Sequence, residues 1–360
     1  MEQEKLHRFH IALMVFNTQS GVIVFTLPRL TAHYFGTNGW LALFPVFLFV
    51  TLNIMLISAV HRLGGGRSVF DILQSSLPRL ILYPLYLLLW GIFSMIGCLV
   101  VKQYVLIYQL LIFPSTSDML LKFFVDLLVF LYVAKGIYTM SKANVLFSFF
   151  LLSLLPLAIY FTQEFDLVRL TSFMFEGGTD MKEGFLRVYG AYMGYELTLF
   201  LFPYAEPGKK WLKYIHLGNG ITMAIYLLAT ILGFGFFNVQ ELSHLAFPLL
   251  DMFSYIRFPF VERLQNFLYS VFLFSILHTA AMYYWASQSV LSRIFRRIPW
   301  KLLVFCTMVI TIFTASIPET LIKVEGWFRL FSIFQLGFSV AFPLLLIILL
   351  LFQRRSKKHA

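Results

Sequence analysis

Two apolar runs of this chain are each long enough to cross a bilayer, and each is broken at its middle. Ile11–Pro28 carries Thr18-Gln19-Ser20-Gly21 at its centre, and Tyr189–Tyr204 carries Gly194 and Glu196. In hydrocarbon a polar side chain needs a partner or a watery cavity. Backbone that leaves the helix must likewise be satisfied inside the protein. A chain with two such breaks must bury them, and it needs further spans to do so. Composition supplies them: 59% of residues are hydrophobic and 12% charged, with mean hydropathy +0.81. A soluble domain carries about 25% charged residues. Residues 1–360 therefore read as one transmembrane domain, all-α, with no separate soluble unit.

Ten segments have the length and composition of a span: about 10–28, 39–60, 80–112, 119–134, 142–161, 186–204, 214–236, 264–290, 301–316 and 327–352. The third is long enough to tilt or project. The first run lacks a small-residue cleavage site, so it reads as a retained helix and not a signal peptide. Ten spans put both termini on one side. That side gathers 18 Lys and Arg against 8 on the other, where Lys122 is counted, while Lys102 and Arg187 fall within spans. Basic loops stay in the cytoplasm, which places both termini there. The net charge of +11 is thus a loop pattern and does not point to nucleic acid. Cys98 and Cys306 lie in apolar runs and read as buried thiols without a disulfide.

Two connections have structure of their own. Ser68, with Asp71 three residues on, caps a short helix over Ser68–Ser76. Val239–Val261 is amphipathic; it is either a surface loop helix or a lid over a ligand path.

Splitting the chain after span five leaves five spans in each half, so the halves are inverted. The repeats are about 10–161 and 186–352. Each opens with its broken span, and each break precedes a proline, Gly21 before Pro28 and Gly194 before Pro203. Inverted repeats put a binding site where the broken helices face each other. A half-helix N-terminus offers N–H donors to a carboxylate, and unwound carbonyls suit an ammonium group. Gln19, Ser20 and Gly21, continuing to Val22, form the expected cradle. Met193, Gly194 and Glu196 form the opposite wall. Glu196 binds a ligand amine, bridges the breaks or takes up a proton; alternatively it satisfies free N–H groups of the first break. Lys102 and Asp126, inside spans three and four, read as a structural ion pair, with Lys102–Glu196 pairing and snorkelling as alternatives.

Thr279, Tyr283 and Ser287 share one face of span eight, suited to hydroxyl contacts or to helix–helix hydrogen bonds. His278 faces elsewhere and reads as packed. Ile92 and Ile96 form an apolar wall on span three. No metal-ligand spacing, cofactor motif, phosphate loop or nucleophile elbow is present, so neither a metal nor a cofactor is expected, and no enzyme.

NTQSGVIVFTLPR (Asn17–Arg29), GYELTLFLFPY (Gly194–Tyr204) and FPFVERLQNFL (Phe258–Leu268) together resemble the B subunits of GerA-type spore germinant receptors. Gln19-Ser20 stands where many relatives carry more apolar or small residues. The resemblance implies the amino acid–polyamine–organocation superfamily and its LeuT-like five-plus-five inverted repeat. It also implies a receptor in the spore inner membrane, A-type and C-type subunits as partners, and a small nutrient germinant, often an amino acid. In that superfamily span eight helps line the central pocket, which adds Thr279 and Tyr283 to the expected site beside Ile96. A proton-coupled amino-acid transporter of the same fold is the alternative, followed by a ligand-gated conducting path.

Overall fold

The computed structural model describes residues 5–171, 173–205, 211–256 and 264–356, whose regular elements are all helices, with no strand among them. Span 1 consists of α1 (Arg8–Gln19), a 3-10 turn at Val22–Phe25 and α2 (Leu27–Phe35). It runs past the expected end at Pro28, because that proline sits in the first turn of α2, where its missing N–H is no loss. α3 (Leu43–Gly64) is span 2, and α4 (Val69–Gln74) is the expected short helix, its Phe70 N–H donating to Ser68 Oγ at 3.3 Å. α5 (Arg79–Leu111), α6 (Asp118–Ala134) and α7 (Ile137–Leu152, extended to Gln163 by a 3-10 segment) complete the first half.

The second half opens with α8 (Met181–Ala191) and a 3-10 segment, Tyr195–Tyr204, which together make span 6. α9 (Trp211–Phe236) is span 7. α10 (Val239–His244) and α11 (Pro248–Ser254) form the outer connection. They pack on α2 and on the 3-10 turn of span 1; residues 257–261 of that connection, and 258–263 of the third family-like stretch, lie outside the described residues. α12 (Leu264–Val271) and α13 (Leu273–Leu291) make span 8, α14 (Trp300–Ala315) span 9 and α15 (Leu321–Ser356) span 10.

Among the described residues, six helical segments are long and apolar enough to cross a membrane. The shorter α14, the 17-residue α6 and the two broken helices bring the spans to ten. α5, at 33 residues, rises about 50 Å and outreaches a 30 Å hydrocarbon core. The two halves form an inverted repeat. Equivalent spans 3 and 8 (α5 and α13) pack along each other, and α1 lies against α7, α9 and α13. The equivalent broken spans also meet at their ends, where Leu6 N–H donates to Tyr204 C=O at 2.8 Å.

The structure corrects three readings. Cys98 is buried, but Cys306 is exposed on the outer face of α14. Lys102 and Asp126 do not pair: Lys102 bonds Asp118, and Lys122 bonds Asp126 at 2.5 Å. Lys122 is no loop residue. It lies fully buried on α6, one turn before Asp126 on the same face, so the pair is set by helix geometry. That leaves Lys102 to stretch along α5 towards Asp118 in the first turn of α6, where a carboxylate also suits the helix N-terminus.

Candidate functional site

Span 1 breaks where Thr18, Gln19 and Ser20 can compete for backbone groups and where Gly21 weakens the helix. Ser20 has ψ 71°, and Gly21 is extended at φ −95°, ψ −172°. The break frees carbonyls, and hydroxyls from two neighbouring spans take them. Thr279 Oγ1 donates to the Asn17 carbonyl at 2.9 Å, Tyr226 OH donates to the Gln19 carbonyl at 2.7 Å, and Ser275 donates to the Ser20 carbonyl. The carbonyls expected to meet an ammonium group are therefore engaged within the protein. Gln19 is engaged as well: its amide donates to the Tyr192 carbonyl at 2.9 Å and to Asn219 at 3.1 Å, and it accepts from Thr222 at 2.8 Å. Through Tyr192 it ties one break to the other.

Span 6 breaks at Tyr192–Gly194. Gly194 has φ +117°, a value that only glycine adopts easily, and a Cβ there would lie 2.5 Å from Thr18 Cγ2. The break of one helix is thus pressed directly onto the other. Glu196, fully buried, accepts the Gly194 N–H on both oxygens, at 3.0 and 2.9 Å. It also accepts Tyr283 OH at 3.1 Å and the Gln335 amide. It therefore satisfies the break of its own span and not that of span 1, because Gly194 is two residues away and oriented towards it.

Between the breaks lies a cleft of about 850 Å³, counting the space at its mouth, open on the side away from the termini. It brings together Gln19, Gly21, Ile96, Met193, Thr279 and Tyr283. Three expected residues lie outside its wall. Gly194 and Glu196 stand behind Tyr283, and Ser20 faces a separate apolar cleft between α7, α9 and α11. Ile92 is not part of the wall, and His278 contacts Tyr132 at 3.1 Å, packed in the bundle. Ser287 donates to the Trp90 carbonyl at 3.2 Å, a helix–helix bond.

The mouth carries Arg29 and Arg329, counted in the sequence as loop charges, Arg187, counted within a span, and Glu325, which the sequence reading did not single out. Arg29 faces Glu325 at 3.9 Å. Glu183, just outside the wall, accepts from Arg329 at 2.7 and 2.9 Å and from Arg187 at 2.9 Å. Glu183 stands in the first turn of α8, ahead of the apolar run of span 6 at about 186–204, and there the Arg329 hydrogen bond, helped by Arg187, holds its carboxyl below its ordinary range. The available signals were the i, i+4 spacing of Glu183 and Arg187, and Gln335 inside the last apolar run.

Two broken helices crossing at the centre of a five-plus-five inverted repeat define a LeuT-fold membrane protein. The chain superposes on Mhp1, a nucleobase-cation-symport-1 family transporter, with TM-score 0.62 and 14% identity over 87% of this chain and 72% of that one. It also superposes on the Eremococcus coleocola manganese transporter, with TM-score 0.63 and 13% identity over 96% and 81%. At such identity these matches describe the fold. A family model described as Spore germination protein matches residues 5–324, and the chain belongs to that family. Its relatives include Spore germination protein A2 of Bacillus subtilis, 26% identical over 81% of each chain, and Spore germination protein GerQB of Bacillus cereus, 22% identical over 77% of each.

Proposed function

We propose that this chain is the permease-like subunit of a spore germinant receptor, and that the cleft between the broken helices binds a small nutrient, an amino acid. The observation that carries the ligand class is the mouth, where Arg29, Arg187 and Arg329 stand beside Glu325. A cleft with both signs of charge at its entrance and Ile96, Val100 and Met193 along its walls complements a zwitterion with an apolar side chain. Gln19, Gly21, Ile96, Met193, Thr279 and Tyr283 form the binding wall. Ser20, Gly194 and Glu196 hold the breaks in shape. Ligand seated against Tyr283 bears through its hydroxyl on Glu196, which gives binding a route to the packing of span 6. In this reading the protein sits in the spore inner membrane with both termini cytoplasmic and signals with A-type and C-type subunits. A proton-coupled transporter is the second reading, favoured by the transporter fold itself.

Spores carrying Gly21→Ala or Glu196→Gln, matched for protein level by immunoblot, test the site. Loss of germinant binding and response in Gly21→Ala supports the cleft, and a normal dose–response with normal binding rejects it. Uptake of labelled amino acid by the purified, reconstituted chain alone supports the transporter reading instead.

A further inference from the structure

On the termini side, α4, the start of α5 and the turn between α13 and α14 enclose a further cleft, of about 1150 Å³ with its open mouth. Arg79, Arg293, Arg296 and Arg297 line it. None of the four forms an ion pair with a described acidic residue. Arg293 is steadied from behind by the Phe70 ring, 4.4 Å from its centroid. Tyr86 lines the same cleft and is 1% exposed; its hydroxyl, beside Gln74 and the Arg293 and Arg296 guanidinium groups, makes no close hydrogen bond. A buried hydroxyl free to donate among unpaired guanidinium groups is a donor set suited to an anion.

We propose that this cleft binds the headgroup of an anionic phospholipid. Leu80, Tyr83 and Leu87 share one face of α5 and are exposed, and Tyr83 also lines the cleft, so the stripe leads from the arginines towards the membrane interior. They give acyl chains an apolar track that continues directly from the headgroup site, which a soluble anion would not use. The phosphate accepts from Arg293, Arg296 and Arg297, and Tyr86 donates to a headgroup oxygen. Arg293 and Arg296 also line the adjoining cleft, whose wall includes Pro203 and Tyr204 at the end of span 6. Bound lipid therefore braces the end of the helix that carries Glu196. Basic recesses between spans on the cytoplasmic side suit anionic headgroups.

The test uses the full-length protein, delipidated, reconstituted in phosphatidylcholine nanodiscs and titrated with phosphatidylglycerol. Retained lipid is read by native mass spectrometry and Tm by intrinsic fluorescence. The wild type is expected to retain phosphatidylglycerol over phosphatidylcholine by roughly tenfold or more, the scale of one or two interfacial cation contacts. Arg293→Gln/Arg296→Gln/Arg297→Gln should lose that preference and the accompanying rise in Tm. Tyr86→Phe, which keeps the ring, should lose part of it, and Arg297→Gln alone serves if the triple variant does not fold. Arg62→Gln/Lys135→Gln, basic positions on the same side outside the cleft, should keep it. Equal loss in that control would reduce the effect to general attraction and overturn the site, as would unchanged retention in the arginine variants. A Tm rise with inorganic phosphate as large as that with lipid would overturn the lipid in favour of a soluble anion.

Discussion

Tyr283 OH donates to Glu196 Oε1 at 3.1 Å, while the same tyrosine lines the central cleft. One side chain thus touches both the space a ligand would occupy and the carboxylate that holds span 6 at its break. Glu196 is out of the cleft and still one hydrogen bond from it. Tyr283→Phe keeps the ring and removes that bond. The expected cost is about 1–2 kcal/mol of stability, with normal accumulation and a severalfold shift in the germinant dose–response. Melting of the purified protein and spore germination curves check the two parts, and a superimposable dose–response would break the proposed link.

The two break glycines should behave oppositely. A Cβ on Gly194 meets Thr18 Cγ2 at 2.5 Å and sits at positive φ, whereas a Cβ on Gly21 meets nothing within 4 Å. Gly194→Ala should cost on the order of 1–3 kcal/mol from backbone strain alone and reduce protein level, with partial recovery in Gly194→Ala/Thr18→Ser. Gly21→Ala should accumulate normally and lose ligand affinity, because its methyl projects into the cleft. Quantitative immunoblots beside ligand titration separate the two. Equal levels for both single alanine variants would contradict this reading of the breaks.

Lys122–Asp126 should behave as a buried pair. Removing one partner, as in Lys122→Met, leaves an uncompensated charge and should cost about 3–5 kcal/mol. The exchange Lys122→Asp/Asp126→Lys should recover much of it, while Lys102→Asp/Asp126→Lys should not, because Lys102 answers to Asp118. Protein yield and Tm across the set report the pairing; recovery by the second exchange would restore the rejected Lys102–Asp126 pair.

The Glu183 bridge between α8 and α15 predicts a pH dependence. Its carboxyl is held below the ordinary range, chiefly by Arg329. A depressed folded value means that the unfolded chain takes up the proton first. The stabilisation is therefore complete above the ordinary carboxylate pKa of about 4.3 and is lost only as pH falls through the lower folded value. The wild-type advantage in Tm over Glu183→Gln should stay constant from pH 7 to about 5 and shrink below about 4.3. An advantage that disappears between pH 7 and 6 would rule the bridge out as its source.

The glutamate at membrane depth was visible in the sequence; its partners were not. Gly194 is a neighbour in sequence, whereas Tyr283 and Gln335 lie 87 and 139 residues away. Nothing in their local pattern announces a shared carboxylate. Gln19 is similar, since its contacts Asn219 and Thr222 lie 200 and 203 residues on. The mouth charges were misread for a related reason. Span counting assigns a charge to a side of the membrane, and it is blind to whether Arg29, Glu325 and Arg329 converge over a cleft or point into water.

Local chemistry determined the ten spans, the two breaks and the cap at Ser68, because hydrocarbon admits only long apolar helices and punishes each unsatisfied backbone group. An odd number of spans per half made the inversion legible too. Tertiary packing alone decided that Thr279, Ser275 and Tyr226 seal the carbonyls of span 1, that Asp126 belongs to Lys122, and that Ser20 turns away from the cleft. Those outcomes depend on which helix faces meet and how far a side chain can reach, and both are properties of the assembled bundle that no run of residues carries by itself.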